Sequence, residues 1–121
     1  MAHDVKVVEL MASAAKIESF NTDACMEAAA FDEAHVFLVV ASKQGEPTTL
    51  DATIEYCMDA AGTSFAAPVT AEPFTQVTGA TSSQCLKLTN TGASFRVAVT
   101  IAGGGTGKGW TFKIIVVLKR L

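Results

Sequence analysis

The stretch "FRVAVTIAGGGTGKGWTFKIIVVLK", residues 95–119, decides the fold. On either side of its glycines, apolar residues recur at every second position. Successive side chains of a β-strand point to opposite faces, so each run predicts a half-buried antiparallel strand. The two predicted apolar faces consist of Phe95, Val97, Val99 and Ile101, and of Trp110, Phe112, Ile114, Val116 and Leu118. The second strand is also apolar on its opposite face at Ile115 and Val117, where we expect something to cover it.

The glycine-rich segment between these strands has two interpretations. A phosphate-binding loop reads G-x-x-x-x-G-K-[ST], with a strand before it and a helix after it. Here Ala102 occupies the first glycine position and Gly109 the hydroxyl position, and a strand follows. The sequence therefore predicts a wide hairpin turn whose glycines supply positive φ angles. Lys108 and Trp110, at the base of this turn, are predicted to contact a partner.

Further strands follow from alternation at residues 49–58 and 84–89, and from a continuous apolar run at residues 35–42. Residues 22–31 are ambiguous and favour a weak strand, and a short strand is predicted around residues 74–77. Turn residues at 43–47, 59–64, 78–83 and 90–92 separate these runs. This pattern predicts an all-β fold, an antiparallel β-sandwich of jelly-roll-like or immunoglobulin-like form. Residues 1–20 form either an extended N-terminal arm or a first strand, and residues 21–121 form the sandwich domain.

Composition limits the classes of function. The chain has 121 residues, which suits one domain, with 50% hydrophobic and 17% charged residues and a net charge of −3. Its lysines and arginines are scattered, so we expect no nucleic-acid partner. Charges within residues 1–20 interrupt any signal peptide, and the longest apolar run, 114–118, is too short to span a membrane. We therefore expect no membrane partner.

Candidate chemical groups are few, and we predict no catalytic, cofactor-binding or metal-binding residues. Cys25, Cys57 and Cys85, an odd number, favour free thiols in a reducing compartment over a disulfide framework. With His35 they have the right types for a zinc site, but no C-x-x-C spacing occurs. His35 is predicted to be a strand-end histidine, and the adjacent Asp32 and Glu33 to lie in a solvated turn. Loop aromatics, namely Trp110, Phe65 and Phe74, leave open a carbohydrate-binding surface.

The C-terminal half resembles a known class of proteins. Its segments are "ATIEYCMDAAGTSFAAPV", "FTQVTGATSSQCLKL" and "ASFRVAVTIAGGGTGKGWTFKIIVVLKR". This succession, over roughly residues 50–120, resembles small β-sandwich structural proteins of tailed bacteriophages, especially head decoration (cement) proteins. The shared features are the turn "DAAGTSF", Arg96 near the start of a strand, the glycine-rich turn, and a final apolar strand that ends in Lys119. Ala93-Ser94 stands where a tyrosine or arginine is more usual.

The resemblance implies a non-enzymatic virion protein that assembles in the bacterial cytoplasm. Such a protein would bind the outside of the capsid lattice and stabilise the head, with the major capsid protein and its own copies, often as trimers, as partners. Many repeated sites make weak single contacts effective. The alternatives are a phage tail structural protein and a small carbohydrate-binding or cell-surface-binding module.

The N-terminal segment, about residues 2–19, is the predicted partner-binding element. An extended apolar segment can add a strand to the sheet edge of a neighbouring subunit. The alternative is that it forms the first strand of its own sandwich. With the two residues of the glycine-rich turn, the predicted partner-binding set is Val5, Val7, Val8, Leu10, Met11, Lys108 and Trp110.

Overall fold

The structure, a computed structural model, describes residues 4–90 and 92–121 and is all-β. It confirms the predicted antiparallel β-sandwich. A short 3₁₀ helix, Met26–Ala30, accompanies the strands. The strands are β1 (Asp4–Lys16), β2 (Phe20–Asn21), β3 (Glu33–Gln44), β4 (Thr49–Cys57), β5 (Phe65–Ala66), β6 (Ser82–Lys87), β7 (Phe95–Ala102) and β8 (Gly109–Arg120).

The strands form two four-stranded sheets. Sheet I has the order β1-β8-β3-β6, and sheet II has the order β2-β7-β4-β5. Each strand of the first half pairs with its counterpart from the second half: β1 with β8, β2 with β7, β3 with β6, and β4 with β5. A long hairpin that rolls up until β3 meets β8 and β4 meets β7 produces this order. The order is that of a jelly roll, one of the two forms that the sequence predicts.

The core lies between the sheets and follows the alternation predicted from the sequence. On β7 and β8 the predicted inward residues are buried, and Trp110, Phe112 and Ile114 have no exposed surface. On β3 and β4 the even-numbered residues, such as Val36 and Ile54, are equally inaccessible. Each buried Val, Leu, Ile or Phe side chain contributes about 1.5–3 kcal/mol of transfer free energy, which makes this interior the main source of stability.

The glycine-rich segment does not form the predicted hairpin. β7 belongs to sheet II and β8 to sheet I, so the connection crosses from one sheet to the other. At its tip, Gly105 and Lys108 exchange two backbone hydrogen bonds around Gly107, whose φ is +73°. At its end, a Cβ on Gly109 would collide with the carbonyl oxygen of Lys16. The glycines therefore serve both a turn and a close approach to β1.

The N-terminal segment is part of the sandwich. β1 pairs with β8 from Asp4 opposite Arg120 to Lys16 opposite Trp110. An ion pair of 2.6 Å joins Arg120 to Asp4, and the same guanidinium donates to the carbonyl oxygen of Ala30. Of the two alternatives for this segment, the structure therefore has the first strand.

Two local predictions differ from the structure. Within residues 22–31, the favoured weak strand is replaced by the 3₁₀ helix, which suits the alanine-rich sequence. Residues 74–77 form no strand of their own but bond to the edge of β4, where the Phe74 amide donates to Ala52 and Leu50 exchanges hydrogen bonds with Val77. Across the described ranges, no helix combines the length and apolar character needed to cross a membrane.

Candidate interaction surface

The outward faces of the two sheets differ in chemistry. On sheet II, the outward residues of β4 and β7 are mostly polar. Arg96 there forms a 2.8 Å ion pair with Glu55, and its guanidinium lies 4.0 Å from the ring centroid of Phe65. Asp51, also on this face, accepts hydrogen bonds from Gln76. Sheet II therefore presents the outer surface that an antiparallel sheet facing water is expected to have.

The outward face of sheet I is apolar at its centre, and we call it the open face. Strand register brings its residues into rows, with Glu9, Ile115, Phe37 and Cys85 in one row and Val7, Val117, His35 and Lys87 in the next. Val39 extends the apolar area along β3, and its neighbour on β8 is the exposed Lys113. Phe37, Val39, Ile115 and Val117 all remain partly exposed to solvent, whereas their neighbours along each strand are buried. The cover expected over Ile115 and Val117 is not supplied by this chain's other sheet, which packs on the opposite face.

Charged residues surround the apolar centre of the open face. At one end, Glu33 of β3 lies opposite Lys119 of β8. Glu33 also contacts its neighbours on the face, with its carboxylate oxygens 3.4 Å from His35 Nε2 and 3.6 Å from Lys87 Nζ. The hydrogen bond from His35 is the main cause that lowers the pKa of Glu33, so this carboxylate is ionised at neutral pH. An apolar centre with a charged rim is the usual anatomy of a protein–protein interface.

The free edge of β1 adjoins the open face. β1 borders sheet I and, among the described strands, pairs only with β8. Irregularities in its register lie between Glu9 and Met11 and between Met11 and Ala14, and bulges of this kind discourage edge-to-edge pairing. The preceding run, Asp4–Glu9, has regular register, so its free backbone groups can pair with another strand, while Asp4, Lys6 and Glu9 place charges along it.

The structure places the predicted partner-binding residues in three different environments. Val5 and Val7 lie on the outer side of β1, with 57% and 64% of their surface exposed. Val8, Leu10 and Met11 are half-buried and pack against the core. Lys108 is exposed at the tip of the glycine-rich connection, remote in the chain from β1.

The structure corrects the prediction for Trp110. Its indole is fully buried, and Nε1 donates a 3.0 Å hydrogen bond to the carbonyl oxygen of Gly79. Trp110 is therefore a core residue with no surface for a partner. Phe74 is also buried, at 6% exposure, so two of the three aromatics of the carbohydrate-binding alternative are not available at the surface.

Sequence reasoning missed Phe37 and Val39 as surface residues. The run "HVFLVVAS" predicts a central strand, which is correct, but a continuous apolar run gives no reason to place one of its faces at the surface. The useful signal is that Ile115 and Val117 are apolar on the outward face of β8. Two adjacent strands with apolar outward residues indicate an exposed patch where no other described element covers them.

A buried polar cluster fixes the segment that runs along β4. Glu72 is 7% exposed and accepts hydrogen bonds from the Tyr56 hydroxyl at 2.5 Å, the Thr89 amide at 3.0 Å and the Thr89 hydroxyl at 3.1 Å. Burial, reinforced by the bond to Glu72, raises the pKa of Tyr56. The buried polar atoms of this cluster are paired with one another, so it stabilises a specific packing arrangement.

The cysteines and His35 lie in separate places. Cys25 is fully buried, and burial raises the pKa of its thiol to about 11, so it stays protonated at neutral pH and is a poor nucleophile. Cys85 is exposed on the open face, and Cys57 donates a hydrogen bond to the carbonyl oxygen of Asp59. Within residues 4–90 and 92–121, no three His, Cys, Asp or Glu side chains are grouped so that they could hold a metal ion.

Two shallow grooves mark the surface. The larger, about 480 Å³, lies beside the 3₁₀ helix and is lined by Met26, Cys57, Met58 and Ala93 among others. The smaller, about 260 Å³, lies where β1 leads into β2, along residues 15–20. Both are open depressions, and in the larger one the polar groups of Cys57, Asp59 and Ser94 are engaged in hydrogen bonds to nearby residues of the chain.

In comparisons with known proteins, no family model matches this chain and no curated protein sequence matches it.

Proposed function

We propose that this chain is a non-enzymatic virion structural protein that decorates the outside of a bacteriophage capsid and stabilises the head. The single observation that carries the proposal is the regular edge of β1 with Val5 and Val7 exposed beside it. A regular strand edge with exposed valines is a hazard to a chain that works alone, and proteins normally blunt it. The regular free edge of β1 over Asp4–Glu9 therefore fits a subunit that uses this edge to bind another protein.

The binding mode that this edge supports is strand addition. An antiparallel or parallel strand of the major capsid protein would bond to the free backbone groups of β1, with Val5 and Val7 in contact with its alternate side chains. The backbone pairing of β1 with β8 from Asp4 onward holds the strand on its own sheet, with the exposed ion pair between Arg120 and Asp4 beside it, so the edge is presented in a fixed position. A prearranged edge loses less conformational entropy on binding than a flexible arm would. Repetition over a capsid lattice then compensates for weak single contacts.

Among the alternatives, the structure favours none with a specific observation. The carbohydrate-binding surface loses its best aromatic because Trp110 is buried. A phage tail protein would use the same edge of β1. Only the identity of the protein that it binds would distinguish it from a head decoration protein.

The test is co-sedimentation of the purified chain with undecorated heads assembled from the major capsid protein of the same genome. We expect saturable binding, with binding by Val5→Lys weakened at least tenfold because a charge at the edge opposes strand addition. Thr100→Lys, at an exposed position of sheet II, serves as the matched control and should bind as the unmodified chain does. Absence of binding, or a genome that encodes no capsid protein, would refute the proposal.

A further inference from the structure

We infer that the open face of sheet I is the contact between two copies of this chain, packed face to face about a two-fold axis. The axis runs parallel to the strands, midway between β8 and β3. The inference goes beyond the proposed capsid binding, because it concerns this chain alone and uses the face of sheet I rather than the free edge of β1.

The first argument is the difference between the two sheets of the same molecule. Both sheets are antiparallel, and both bury one face in the same core. Sheet II carries an ion pair and side-chain hydrogen bonds on its outward face, whereas sheet I carries Phe37, Val39, Ile115 and Val117. Contiguous apolar patches with a polar rim are typical of protein–protein interaction sites. The face is therefore adapted to be covered.

The second argument is that the face is complementary to itself. A two-fold axis between β8 and β3 places each residue of β8 opposite the β3 residue in the same row of the second copy. Ile115 of each copy then contacts Phe37 of the other copy, so this contact occurs twice. At the end of the face, Lys119 meets Glu33 of the other copy, again twice. A two-fold contact requires such reciprocity, because one patch serves as both partners.

The geometry suits the way in which sheets pack. Two sheets stacked face to face lie about 10 Å apart with their strands within about 30° of each other. Lysine and glutamate side chains are long enough to meet across that gap at the rim, while isoleucine and phenylalanine interdigitate at the centre. The Glu33 carboxylates of both copies are ionised at neutral pH, because the hydrogen bond from His35 lowers the pKa of Glu33.

The contact departs from the trimer that the resemblance to decoration proteins implies. In a two-fold dimer each copy uses its whole open face to contact the other. No part of that face is then available to bind a third copy. The free backbone groups of β1 remain accessible in this pair, since strand addition occurs in the plane of the sheet, whereas Val7 lies inside the contact, opposite Lys87 of the other copy.

The decisive experiment exploits charge reversal at the rim. Lys119→Glu and Glu33→Lys are purified separately and checked for folding by circular dichroism, and their masses are measured by light scattering across dilution. Each variant alone should be a monomer, because two like-charge contacts replace two attractive ones. An equimolar mixture should recover the dimer. In the mixed pair the two substituted side chains carry opposite charges and meet at one end of the face, while the native Glu33 and Lys119 meet at the equivalent contact.

The controls separate this face from general effects of charge. Ile115→Lys should be monomeric, and Thr100→Lys on sheet II should remain a dimer. A mixture of Lys113→Glu with Glu33→Lys should not recover the dimer, because Lys113 lies in the row of Val39, remote from Glu33. An unmodified chain that is monomeric at high concentration or trimeric, or a mixture of Lys119→Glu with Glu33→Lys that stays monomeric, would overturn the inference. Capsid binding by a monomer would leave the proposed function standing without it.

Discussion

At the scale of single residues, Asp59 shows how one side chain stabilises a turn. Its carboxylate accepts hydrogen bonds from the amides of Thr63 and Ser64, at 2.9 and 3.1 Å, and from the Thr63 hydroxyl. These donors, with the Thr63 hydroxyl the largest cause, hold the pKa of Asp59 well below its ordinary value. Composition predicts the turn "DAAGTS", and this aspartate explains why it closes at that position.

We predict that Asp59→Asn destabilises the protein at neutral pH and has little effect in strong acid. The folded-state pKa is lower than the unfolded one, so the stabilisation is fully present above the ordinary carboxyl range near pH 4. It declines as the pH falls below that range, because the folded protein must then take up a proton against its hydrogen bonds. Thermal melts from pH 7 to pH 2 measure the difference between the two proteins.

A comparison variant isolates this effect from general acid denaturation. Asp23→Asn changes an exposed aspartate and should lower the melting temperature little at any pH. If the difference between Asp59→Asn and the unmodified chain were constant down to pH 2, the hydrogen bonds to the carboxylate would not depend on its charge.

We predict that Trp110→Phe lowers the free energy of unfolding by about 2 kcal/mol. The change removes the hydrogen bond to Gly79, worth about 1 kcal/mol, and leaves a void where the larger ring system was packed. Urea unfolding followed by circular dichroism measures it. A loss below about 0.5 kcal/mol is typical of exposed positions and would contradict the burial of the indole.

At the scale of the elements, alternation predicts the strands better than their partners. β4, β7 and β8 follow from period-two patterns because each has one face in the core, and the burial of Trp110 is implicit in its place beside Phe112 and Ile114. The hairpin predicted for the glycine-rich stretch, residues 102–110, is wrong because alternation reports which face of a strand is buried, not which strand lies beside it. Proximity in the chain is therefore a poor guide to pairing in a rolled-up fold.

The candidate surface is predictable only in part for the same reason. The exposure of Val5 and Val7 follows from an edge position, which the sequence offers as one alternative. The open face follows from the sequence only at β8, where Ile115 and Val117 indicate it, because a continuous apolar strand such as β3 is equally compatible with cover on both sides. Only the register of β1, β8, β3 and β6 shows that their outward apolar residues form one patch.

We predict that Gly109→Ala lowers the free energy of unfolding by about 2–3 kcal/mol, since the new methyl group overlaps the backbone of β1 at Lys16 and must displace it. Gly79→Ala is the matched control, because nothing lies within 4 Å of the methyl group it would add. Its stability should change by about 0.5 kcal/mol or less, as at other exposed positions. Urea unfolding of both variants provides the comparison. Equal free energies of unfolding for the two variants would show that β1 can move away from residue 109 at Lys16 without loss of stability.

At the scale of the whole molecule, the rolled-up topology joins the two ends of the chain. Asp4 pairs with Arg120, so nearly the entire chain separates the two strands β1 and β8 in the sequence. Closing so long a loop costs conformational entropy before any contact is gained. Folds dominated by such pairings reach the native state in milliseconds to seconds, more slowly than folds with local contacts.

We predict that refolding follows this slow regime and that β1 docks after the transition state. Val8→Ala, at a half-buried position of β1, should then speed unfolding and leave the refolding rate nearly unchanged. Ile114→Val, at a fully buried position of β8, should slow refolding, because β8 pairs with β3 at the centre of sheet I. Trp110 is the only tryptophan and lies in that sheet, so its fluorescence in stopped-flow mixing reports both rates. A refolding rate that falls in Val8→Ala as steeply as in Ile114→Val would mean that the ends of the chain meet early, and β1 would then be part of the folding nucleus rather than a late addition to the sheet edge.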